Sequence, residues 1–398
     1  MSVLFSPISL GTLQIPNRFV HSATYEAMAT ETGEVTEALV KRYRTLAKGE
    51  VGLIIPGCMH VNHLGRGWKF GMGIHSDDRI PGLAGLVEAI HERGGKVIFQ
   101  LYHAGMQTIK DLVGQSPVAP SSAVRNPVSF AKPREMTEEE IEQTVAAFAA
   151  AAGRAAEAGA DGIQIHAAHG YLVNEFLSPF FNRRKDGWGG SDVNRFRFLK
   201  EIVEIVRRQL NGEKAVLVKL SSNDHTPTNG ITPFLAGVYA KWLADLGIDG
   251  LELSCGSSLF SFMNMCRGDV PAKEMIAGLP FWKRPVAKLV FRKLVGKYDF
   301  TEGYNLEAAK ILKPLIGKTP LLLVGGMRSA AYMAEILEKG YADGISMSRP
   351  FVREPLLVKR LREGKTEVAS CVSCNKCLAA VANDRPLRCY VKGFSTEL

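Results

Sequence analysis

The chain alternates short apolar runs with longer amphipathic segments along most of its length. The apolar runs predict buried β-strands at residues 18–24, 51–61, 96–103, 162–166, 215–222, 250–254, 320–324 and 344–348. The segments between them carry apolar residues at helical spacing and predict helices at residues 36–48, 79–93, 137–157, 192–210, 233–246, 306–315, 329–339 and 355–362. Eight strands that alternate with eight helices predict an α/β fold of the TIM (β/α)8 barrel type.

The boundaries of this pattern predict a short extension after the barrel. Thr137, followed by three glutamates that include Glu140 at the capping-box position, marks the start of one helix. Two connections, 102–136 and 256–303, are longer than a minimal barrel needs, and such loops usually shape access to a site. No interdomain linker precedes about residue 365. We therefore predict a barrel at 1–364 and a cysteine-rich extension at 365–398.

Composition narrows the class of protein. The 398 residues are 46% hydrophobic, without an apolar run long enough to span a bilayer or a basic region ahead of the first apolar residues. We therefore expect a cytoplasmic protein with no transmembrane segment. The formal charge of +9 suggests acidic ligands, but the basic residues are spread along the chain without a nucleic-acid motif. Phosphorylated cofactors or CoA-type substrates explain the charge equally well, and we expect no nucleic-acid partner.

One segment of the second long connection is both basic and amphipathic. It runs from Phe281 to Tyr298 with the sequence F-W-K-R-P-V-A-K-L-V-F-R-K-L-V-G-K-Y. It could contact a membrane surface or the phosphates of a bulky substrate. An ordinary solvated helix over the barrel mouth is the simpler interpretation.

The most informative stretch for chemistry is I-Q-I-H-A-A-H-G-Y at residues 163–171. His166, His169 and Tyr171 follow a buried strand, so their rings should lie within a few ångströms of one another at its C-terminal end. Two neutral imidazole N–H groups can hold a carbonyl or nitro oxygen, and a phenol can deliver a proton. The alternatives are hydrogen-bonded core histidines and a His-x-x-His metal pair, for which no third ligand lies nearby in the sequence.

Four of the seven cysteines lie in the last 28 residues. Cys371, Cys374, Cys377 and Cys389 have the spacing C-x2-C-x2-C-x11-C. In a chain without a secretory signal, this clustering favours a metal or iron–sulfur site over disulfides. A [4Fe–4S] cluster, a zinc ion or free thiols are the alternatives, whereas Cys58, Cys255 and Cys266 are interpreted as packing residues.

Several motifs together resemble the old yellow enzyme family of FMN-dependent ene-reductases, in the branch that includes 2,4-dienoyl-CoA reductase and trimethylamine dehydrogenase. These are P-N-R-F-V at 16–20, Q-L-Y-H-A-G at 100–105, H-A-A-H-G-Y at 166–171, L-V-G-G-M at 323–327 and A-D-G-I-S-M-S-R-P at 342–350. The resemblance implies that His166 and His169 bind the electron-withdrawing oxygen of a substrate and that Tyr171 is the proton donor. The expected activity is reduction of an activated C=C bond in an enone or enoyl-CoA.

The same resemblance implies the residues that bind FMN. Gln100 would contact the pyrimidine edge of the flavin, and Lys219 would lie beside its N1–C2 carbonyl, where negative charge grows on reduction. Gly325, Gly326, Ser348 and Arg349 would hold the phosphate, and Ala23, Thr24, Tyr25 and Gly57 complete the implied set. The chain departs from many relatives at Thr24–Tyr25, at Met106 in place of arginine, and at Lys219 in place of arginine.

The cysteine spacing resembles the cluster loop of multidomain members, with one residue fewer between the second and third cysteines. No G-x-G-x-x-G motif follows a predicted strand, so either NAD(P)H reduces FMN directly or a separate electron-transfer protein does. Two other functions stay open: an oxidative demethylase or dehydrogenase of the same family, and an FMN and iron–sulfur electron-transfer subunit without ene-reductase activity. We expect a small-molecule substrate and a homo-oligomer.

Overall fold

A computed structural model describes residues 2–127 and 130–391. Its main sheet is a barrel of parallel strands. In chain order these are β1 (Phe19–His21), β2 (two pieces, Leu53–Ile54 and Met59–His60), β3 (Ile98–Tyr102), β4 (Gly162–Ala167), β5 (Ala215–Ser221), β6 (Gly250–Ser254), β7 (Leu321–Val324) and β8 (Gly344–Met347). The barrel closes between β2 and β3, where Ile54 N donates to Lys96 O at 2.8 Å. The predicted (β/α)8 fold is confirmed.

The second strand differs from the continuous one predicted at 51–61. Ile55 N still donates to His21 O of β1 at 3.0 Å, and residues 56–58 then leave the ladder between the two pieces. Pro56 has no N–H to donate, and the N–H of Gly57 donates to Glu26 Oε1 at 2.8 Å instead of to a neighbouring strand. The break therefore results from a buried carboxylate brought in by the loop after β1.

Helices surround the barrel in the predicted order. They are α1 (Glu37–Lys48), α2 (Ile80–His91), α3 (Glu138–Glu157), α4 (Asp192–Gln209), α5 (Pro233–Asp245), α6 (Leu306–Leu312), α7 (Ala330–Glu338) and α8 (Leu357–Arg362). The helix predicted at 306–315 is α-helical only to Leu312, and Lys313–Leu315 forms a 3-10 turn. Pro314 cannot donate an i to i−4 hydrogen bond, so the α-helix ends before it.

Strand side chains alternate between two cores. Ile163, Ile165 and Ala167 of β4 pack outward against the helices. In each of the other strands, every second side chain packs outward in the same way. The opposite set points into the barrel, whose lower part is filled by Val20, Leu217 and other aliphatic residues. A hairpin of Ile8–Leu10 and Leu13–Ile15 packs on this lower layer and covers the N-terminal end. The upper part of the interior is left for polar residues.

The long connections contain secondary structure of their own. The first holds the turn Gly105–Gln107, the helix Lys110–Val113 and the paired strands Val118–Ala119 and Arg134–Glu135. The second holds the helices Phe262–Met265, Ala272–Ala277 and Arg284–Leu294 and the turn Phe281–Lys283. The remaining helices are Leu172–Leu177, Arg349–Arg353 and Lys376–Val381, with an N-terminal turn at Ser2–Phe5 and short turns at His63–Gly65 and Asp77–Arg79. Among the residues described, every helix is too short or too polar to cross a bilayer.

The cysteine-rich extension packs onto the C-terminal face of the barrel. Leu387 N donates to Glu26 O at 2.7 Å, and Leu387 packs with Ala27 and Val352. Asp269 N donates to Ser373 O at 3.1 Å, which joins the extension to the second long connection. The extension is thus held against the loops that surround the barrel mouth, and its definition as a separate unit stays a prediction.

The predicted capping box of α3 forms, and it gives a pH-dependent prediction. Glu140 accepts from Thr137 N at 2.9 Å and from both terminal nitrogens of Arg134, at 2.7 and 2.6 Å. These donors, Arg134 first, lower the pKa of Glu140 from 4.5 to about 2. The lowered pKa means that the stabilisation is present above pH 4.5 and is lost as the pH falls toward 2.

We expect Glu140→Gln to lower the free energy of unfolding at neutral pH by about 0.5–2 kcal/mol, the range of capping interactions. The difference from the wild type should shrink as the pH falls below about 4.5. Urea unfolding followed by circular dichroism at several pH values measures it. Glu142→Gln, on the exposed side of the same helix, is the control. A difference that does not depend on pH would contradict the role of the carboxylate charge.

Candidate active site

The three rings predicted at the end of β4 do lie together. The ring centroids of His166 and His169 are 5.0 Å apart, and those of His166 and Tyr171 are 4.9 Å apart, both edge to face. Tyr171 is the N-cap of the helix Leu172–Leu177, so the chain turns at once after placing the three side chains. The rings are positioned by a strand end and a helix start, which are rigid elements.

The hydrogen bonds of His166 determine which of its nitrogens can donate. The backbone N–H of Ala168 donates to His166 Nδ1 at 3.3 Å, so Nδ1 carries the lone pair. Burial, with His169 and Lys219 nearby, holds the pKa of His166 well below its usual value. The imidazole is therefore neutral at physiological pH and carries its proton on Nε2. An N–H donor with a fixed direction results.

His169 is held in a strained conformation. Its φ of +66° lies in the left-handed region, which side chains with a Cβ rarely adopt. Its N–H donates to Ser221 Oγ at 3.1 Å, and its Nε2 is 2.8 Å from Ser254 Oγ. Gly170 follows with φ +74°, and a Cβ there would lie 2.6 Å from Ser257 Oγ. The tight turn thus requires glycine at 170 and directs the His169 ring toward Ser254 of β6.

A chain of polar side chains crosses the barrel interior below these rings. Gln100 Nε2 donates to Gln164 Oε1 at 2.6 Å, and Gln164 Nε2 donates to Glu252 Oε2 at 3.0 Å. Lys219 Nζ forms an ion pair with the same Glu252 oxygen at 3.2 Å and donates to Ser22 Oγ at 2.8 Å. These residues stand on β3, β4, β6, β5 and the end of β1. Two of them, Gln100 and Lys219, belong to the predicted cofactor set.

The other predicted cofactor residues surround the barrel mouth. Thr24 Oγ1 and Ser348 Oγ are 2.7 Å apart, which joins the loops after β1 and β8. Gly326, after β7, has φ +72°, and a Cβ there would lie 2.9 Å from Thr301 O. Ala23 packs on the inner core, and Tyr25 stacks on Trp68 with a centroid distance of 4.7 Å.

Arg349 makes contacts that the sequence did not predict. Its Nη1 donates to Arg267 O at 3.0 Å, to Cys266 O at 3.3 Å and to Asn375 Oδ1 at 2.5 Å. The guanidinium therefore ties the start of helix Arg349–Arg353 to the second long connection and to the cysteine loop. All three hydrogen bonds use one nitrogen.

The residues at the mouth fit FMN. The side chain of Ser346 on β8 and the Oε1 atom of Glu252 are buried without a hydrogen-bond partner within the described residues. Buried polar atoms without partners are uncommon in proteins and often belong to a site for a ligand. Gln100 and Lys219 bring an amide and an ammonium group into the barrel interior, and Gly326 makes a left-handed turn of the backbone after β7. A flat, polar ring with a phosphate matches this arrangement of donors.

Sequence patterns missed several residues of the site. Glu252 and Gln164 lie within apolar strands, and nothing in the spacing indicates that they meet Lys219. Tyr102 packs edge to face on Tyr171 at 5.2 Å between centroids. Cys58, interpreted as a packing residue, belongs with Trp68 to this same aromatic group beside Tyr171. The period-2 alternation of each strand was the signal that could have placed Gln164 and Glu252 in the interior.

The four cysteines of the extension line one cavity beside Arg349 and Asn375. Ser373 and Asn375 both have left-handed φ values, +57° and +56°, so the loop curves around this cavity. The described residues contain no group of three or more ligand side chains close enough to hold a metal ion. Cys389 Sγ instead lies 3.5 Å from Arg353 Nη1. Burial raises the pKa of Cys377 to about 12, so its thiol is protonated unless a metal ion displaces the proton.

Comparison with known proteins identifies the family. The family model for the NADH:flavin oxidoreductase / NADH oxidase family matches residues 3–261. An NADPH dehydrogenase from Geobacillus sp. (strain WCH70) is 36% identical over 357 residues, which cover 89% of this chain and 92% of that protein. The chain spans about half the length of other curated relatives that it matches, 53% and 55% in two cases.

Solved structures give the same result. The complex of 2-naphthoyl-CoA reductase with 2-naphthoyl-CoA has a TM-score of 0.85 and 26% identity, covering 98% of this chain and 57% of that one. An old yellow enzyme homologue from Zymomonas mobilis has a TM-score of 0.71 and 26% identity, covering 93% of this chain and 95% of that one. The resemblance to the old yellow enzymes is confirmed, and the chain belongs to the NADH:flavin oxidoreductase / NADH oxidase family.

Proposed function

We propose that this chain is an FMN-dependent oxidoreductase that reduces the C=C bond of an α,β-unsaturated carbonyl compound, either an enone or an enoyl-CoA ester. The observation that carries the proposal is the cluster of His166, His169 and Tyr171 above the polar layer of the barrel. The family match and the 36% identical NADPH dehydrogenase support FMN as cofactor and NAD(P)H as donor. The 2-naphthoyl-CoA reductase neighbour supports a conjugated thioester among the substrates.

Each side chain of the cluster is proposed to have a separate role in the reaction. FMN, when bound, supplies the hydride. His166 Nε2–H donates to the substrate carbonyl oxygen, and the second donor is the His169 ring. Burial raises the pKa of Tyr171, so its hydroxyl stays protonated at neutral pH and can protonate the α-carbon. Tyr102 and Trp68 pack beside the phenol and keep water from it.

The ion pair of Lys219 and Glu252 is proposed to tune the flavin. Lys219 and Gln100 would contact the flavin ring, while Glu252, 3.2 Å from the ammonium, offsets part of the positive charge. We expect Glu252→Gln to raise the reduction potential of bound FMN by about 30 mV or more, which equals about 1.4 kcal/mol for a two-electron couple. Spectroelectrochemical titration measures this shift. Asp245→Asn, in a surface ion pair, is the control, and an unchanged or lower potential would contradict the proposal.

We propose that the four cysteines of the extension bind a [4Fe–4S] cluster. The four cysteines line one cavity, which supports this proposal. Their sulfur atoms would have to move closer together to coordinate one cluster. The chain purified without oxygen should contain about four iron atoms and matching sulfide. Cys374→Ser should lose the iron. Cys255→Ser should keep it, because the Cys255 thiol lies outside the extension and donates to Asn264 O in the helix Phe262–Met265. Zinc without iron would contradict the proposal.

Oxidation of an amine is a second candidate function, and one observation favours it. Tyr25, Trp68, Tyr102 and Tyr171 bring four aromatic rings to the same site. Aromatic faces attract alkylammonium groups. The paired histidine donors instead suit an oxygen anion, and for this reason we rank enone reduction first. An electron-transfer role without substrate turnover is a third candidate.

One experiment tests the proposed activity. The full chain, loaded with FMN and kept anaerobic, is incubated in one arm with NADH or NADPH and 2-cyclohexen-1-one. In the other arm it is incubated without NAD(P)H, with trimethylamine and an artificial electron acceptor such as ferricenium. We expect consumption of the enone with formation of the saturated ketone. Demethylation of the amine without enone turnover would favour the second candidate. The homo-oligomer and the cytoplasmic location stay predictions.

A further inference from the structure

The segment from Phe281 to Tyr298 leaves many large apolar side chains in solvent. Helix Arg284–Leu294 has no buried residue, and turn Phe281–Lys283 precedes it. Six side chains in and beside these elements are between 51% and 81% exposed: Phe281, Trp282, Val286, Leu289, Val290 and Val295. Single exposed apolar residues are normal on protein surfaces, but a contiguous group marks an interaction site. The simpler interpretation as an ordinary solvated helix does not account for this exposure.

The same segment carries unpaired positive charge. Its basic residues are Lys283, Arg284, Lys288, Arg292, Lys293 and Lys297, and no acidic residue occurs between 275 and 298. None of the six forms an ion pair with any carboxylate in residues 2–127 and 130–391. Other exposed lysines of the barrel helices, such as Lys200 and Lys241, pair with a carboxylate four residues away. The charge of this segment is therefore available to a partner.

Most of the basic and apolar side chains occupy separate faces of the helix, and Lys293 alone lies beside Leu289 and Val290 on the apolar side. Ala287, Phe291 and Leu294 are half-buried and form the side toward the protein. Arg284, Lys288 and Arg292 follow one another at intervals of four residues and form a basic stripe. Val286, Leu289 and Val290, at intervals of three and four, form an exposed apolar stripe. The apolar stripe continues into Phe281 and Trp282 at the start of the segment.

We propose that residues 281–298 bind the surface of a membrane that contains anionic phospholipids. Such a surface offers negative headgroups to the basic stripe and an apolar phase to the exposed stripe. Trp282 suits the boundary between these two zones. An acidic protein would need an apolar groove of matching shape beside its carboxylates, whereas an anionic bilayer supplies both zones over its whole surface. This proposal does not depend on the reaction that the barrel catalyses.

The segment is linked to the cysteine loop at both of its ends. Before it, Glu274 pairs with Lys376 at 3.4 Å, and the Glu274 carbonyl accepts from Asn383 Nδ2 at 3.0 Å. At its last residue, Tyr298 O accepts from Gly268 N at 2.7 Å, and the next residue, Asp269, contacts Ser373 of the cysteine loop. Binding to a membrane would therefore bring the cysteine loop and the barrel mouth close to the lipid surface. Lipophilic substrates or electron donors dissolved in the membrane could reach them there.

Vesicle flotation with the full chain tests the proposal. The vesicles contain phosphatidylcholine alone or phosphatidylcholine and phosphatidylglycerol in equal parts. We expect the chain to float with the anionic vesicles and to remain below with the neutral ones. The triple variant Lys288→Gln, Arg292→Gln, Lys293→Gln should bind about 10²-fold more weakly. The double variant Phe281→Ser, Trp282→Ser should lose at least about tenfold.

Matched controls distinguish this segment from the rest of the basic chain. The first control is a triple variant that removes three exposed lysines elsewhere: Lys41→Gln, Lys48→Gln and Lys318→Gln. Val193→Ser, Phe234→Ser removes two apolar side chains that are 66% and 77% exposed on other helices. Both controls should float like the wild type.

Three results would overturn the proposal. The first is that the chain does not float with anionic vesicles, whether or not it binds an acidic protein. Another is equal loss in the control variants. The third is a dimer in sedimentation velocity that Trp282→Ser converts to monomer, which would assign this face to a second copy of the chain.

Discussion

Tyr171→Phe is expected to slow reduction of an enone by about 10²- to 10⁴-fold, the usual contribution of a positioned general acid. The substitution keeps the ring that packs on Tyr102 and His166 and deletes only the hydroxyl. Reduction of bound FMN by the donor needs no proton from this phenol, so that half-reaction should be almost unchanged. Stopped-flow measurement of the two half-reactions separates the effects.

Two controls make this result specific. Tyr102→Phe removes a neighbouring hydroxyl, which accepts from Gly67 N at 3.0 Å, and should have a much smaller effect on protonation. A nitroalkene, whose nitronate product is stable without protonation at carbon, should be reduced at nearly the normal rate by Tyr171→Phe. Equal slowing of both half-reactions, or no slowing with the enone, would assign protonation to solvent or to a residue of the 256–303 connection.

His166→Ala is expected to lower enone turnover about 10²-fold, because the developing negative charge on the carbonyl oxygen loses a preorganised donor. His169→Ala should have an effect of similar size. Bound FMN should stay in place in both variants, since neither ring belongs to the Gln100 to Lys219 layer. Steady-state kinetics with an enone and the absorption of the bound flavin give the two readouts.

The matched control for these variants is His91→Ala. His91 is exposed on α2 and pairs with Asp161 at 2.8 Å. Asp161 lies just before the start of β4, away from the barrel mouth. It should change stability slightly and turnover hardly at all. Normal enone reduction by both His166→Ala and His169→Ala would require the carbonyl-binding role to be abandoned.

Local patterns sufficed to predict the barrel because each strand and helix carries its own signal. Apolar runs, helical spacing and the capping box at Thr137 and Glu140 all act within a few residues. The ring cluster was predictable for the same reason, since His166, His169 and Tyr171 are separated by only five residues at a strand end. Where the structure depends on one short stretch, the sequence indicates it.

Features that depend on contacts between distant residues were not predictable. The break in β2 comes from Glu26, which lies 31 residues before Gly57. The Lys219–Glu252 pair and the Arg349–Asn375 contact join separate elements, and each looks like an ordinary charged or polar position in the sequence. The exposed stripe of helix Arg284–Leu294 also needed the fold, because an amphipathic pattern does not show which face is covered.

The cysteine extension is an intermediate case. Its spacing predicted a common site, and the four side chains do line one cavity. The cysteine spacing could not predict that the Cys389 thiol would contact the Arg353 guanidinium. It also could not predict that Arg349 would donate to Asn375 and so hold the loop. These contacts depend on how the extension packs on the barrel.

We propose that the barrel itself reduces an activated C=C bond with electrons from its flavin. The most direct test is a single turnover of the FMN-loaded chain, reduced chemically under anaerobic conditions, freed of reductant and mixed with 2-cyclohexen-1-one. We expect the visible absorption of oxidised flavin to return as one equivalent of cyclohexanone forms per flavin. A flavin that stays reduced in the presence of the enone, yet passes its electrons to an artificial acceptor, would contradict the account and indicate an electron-transfer protein.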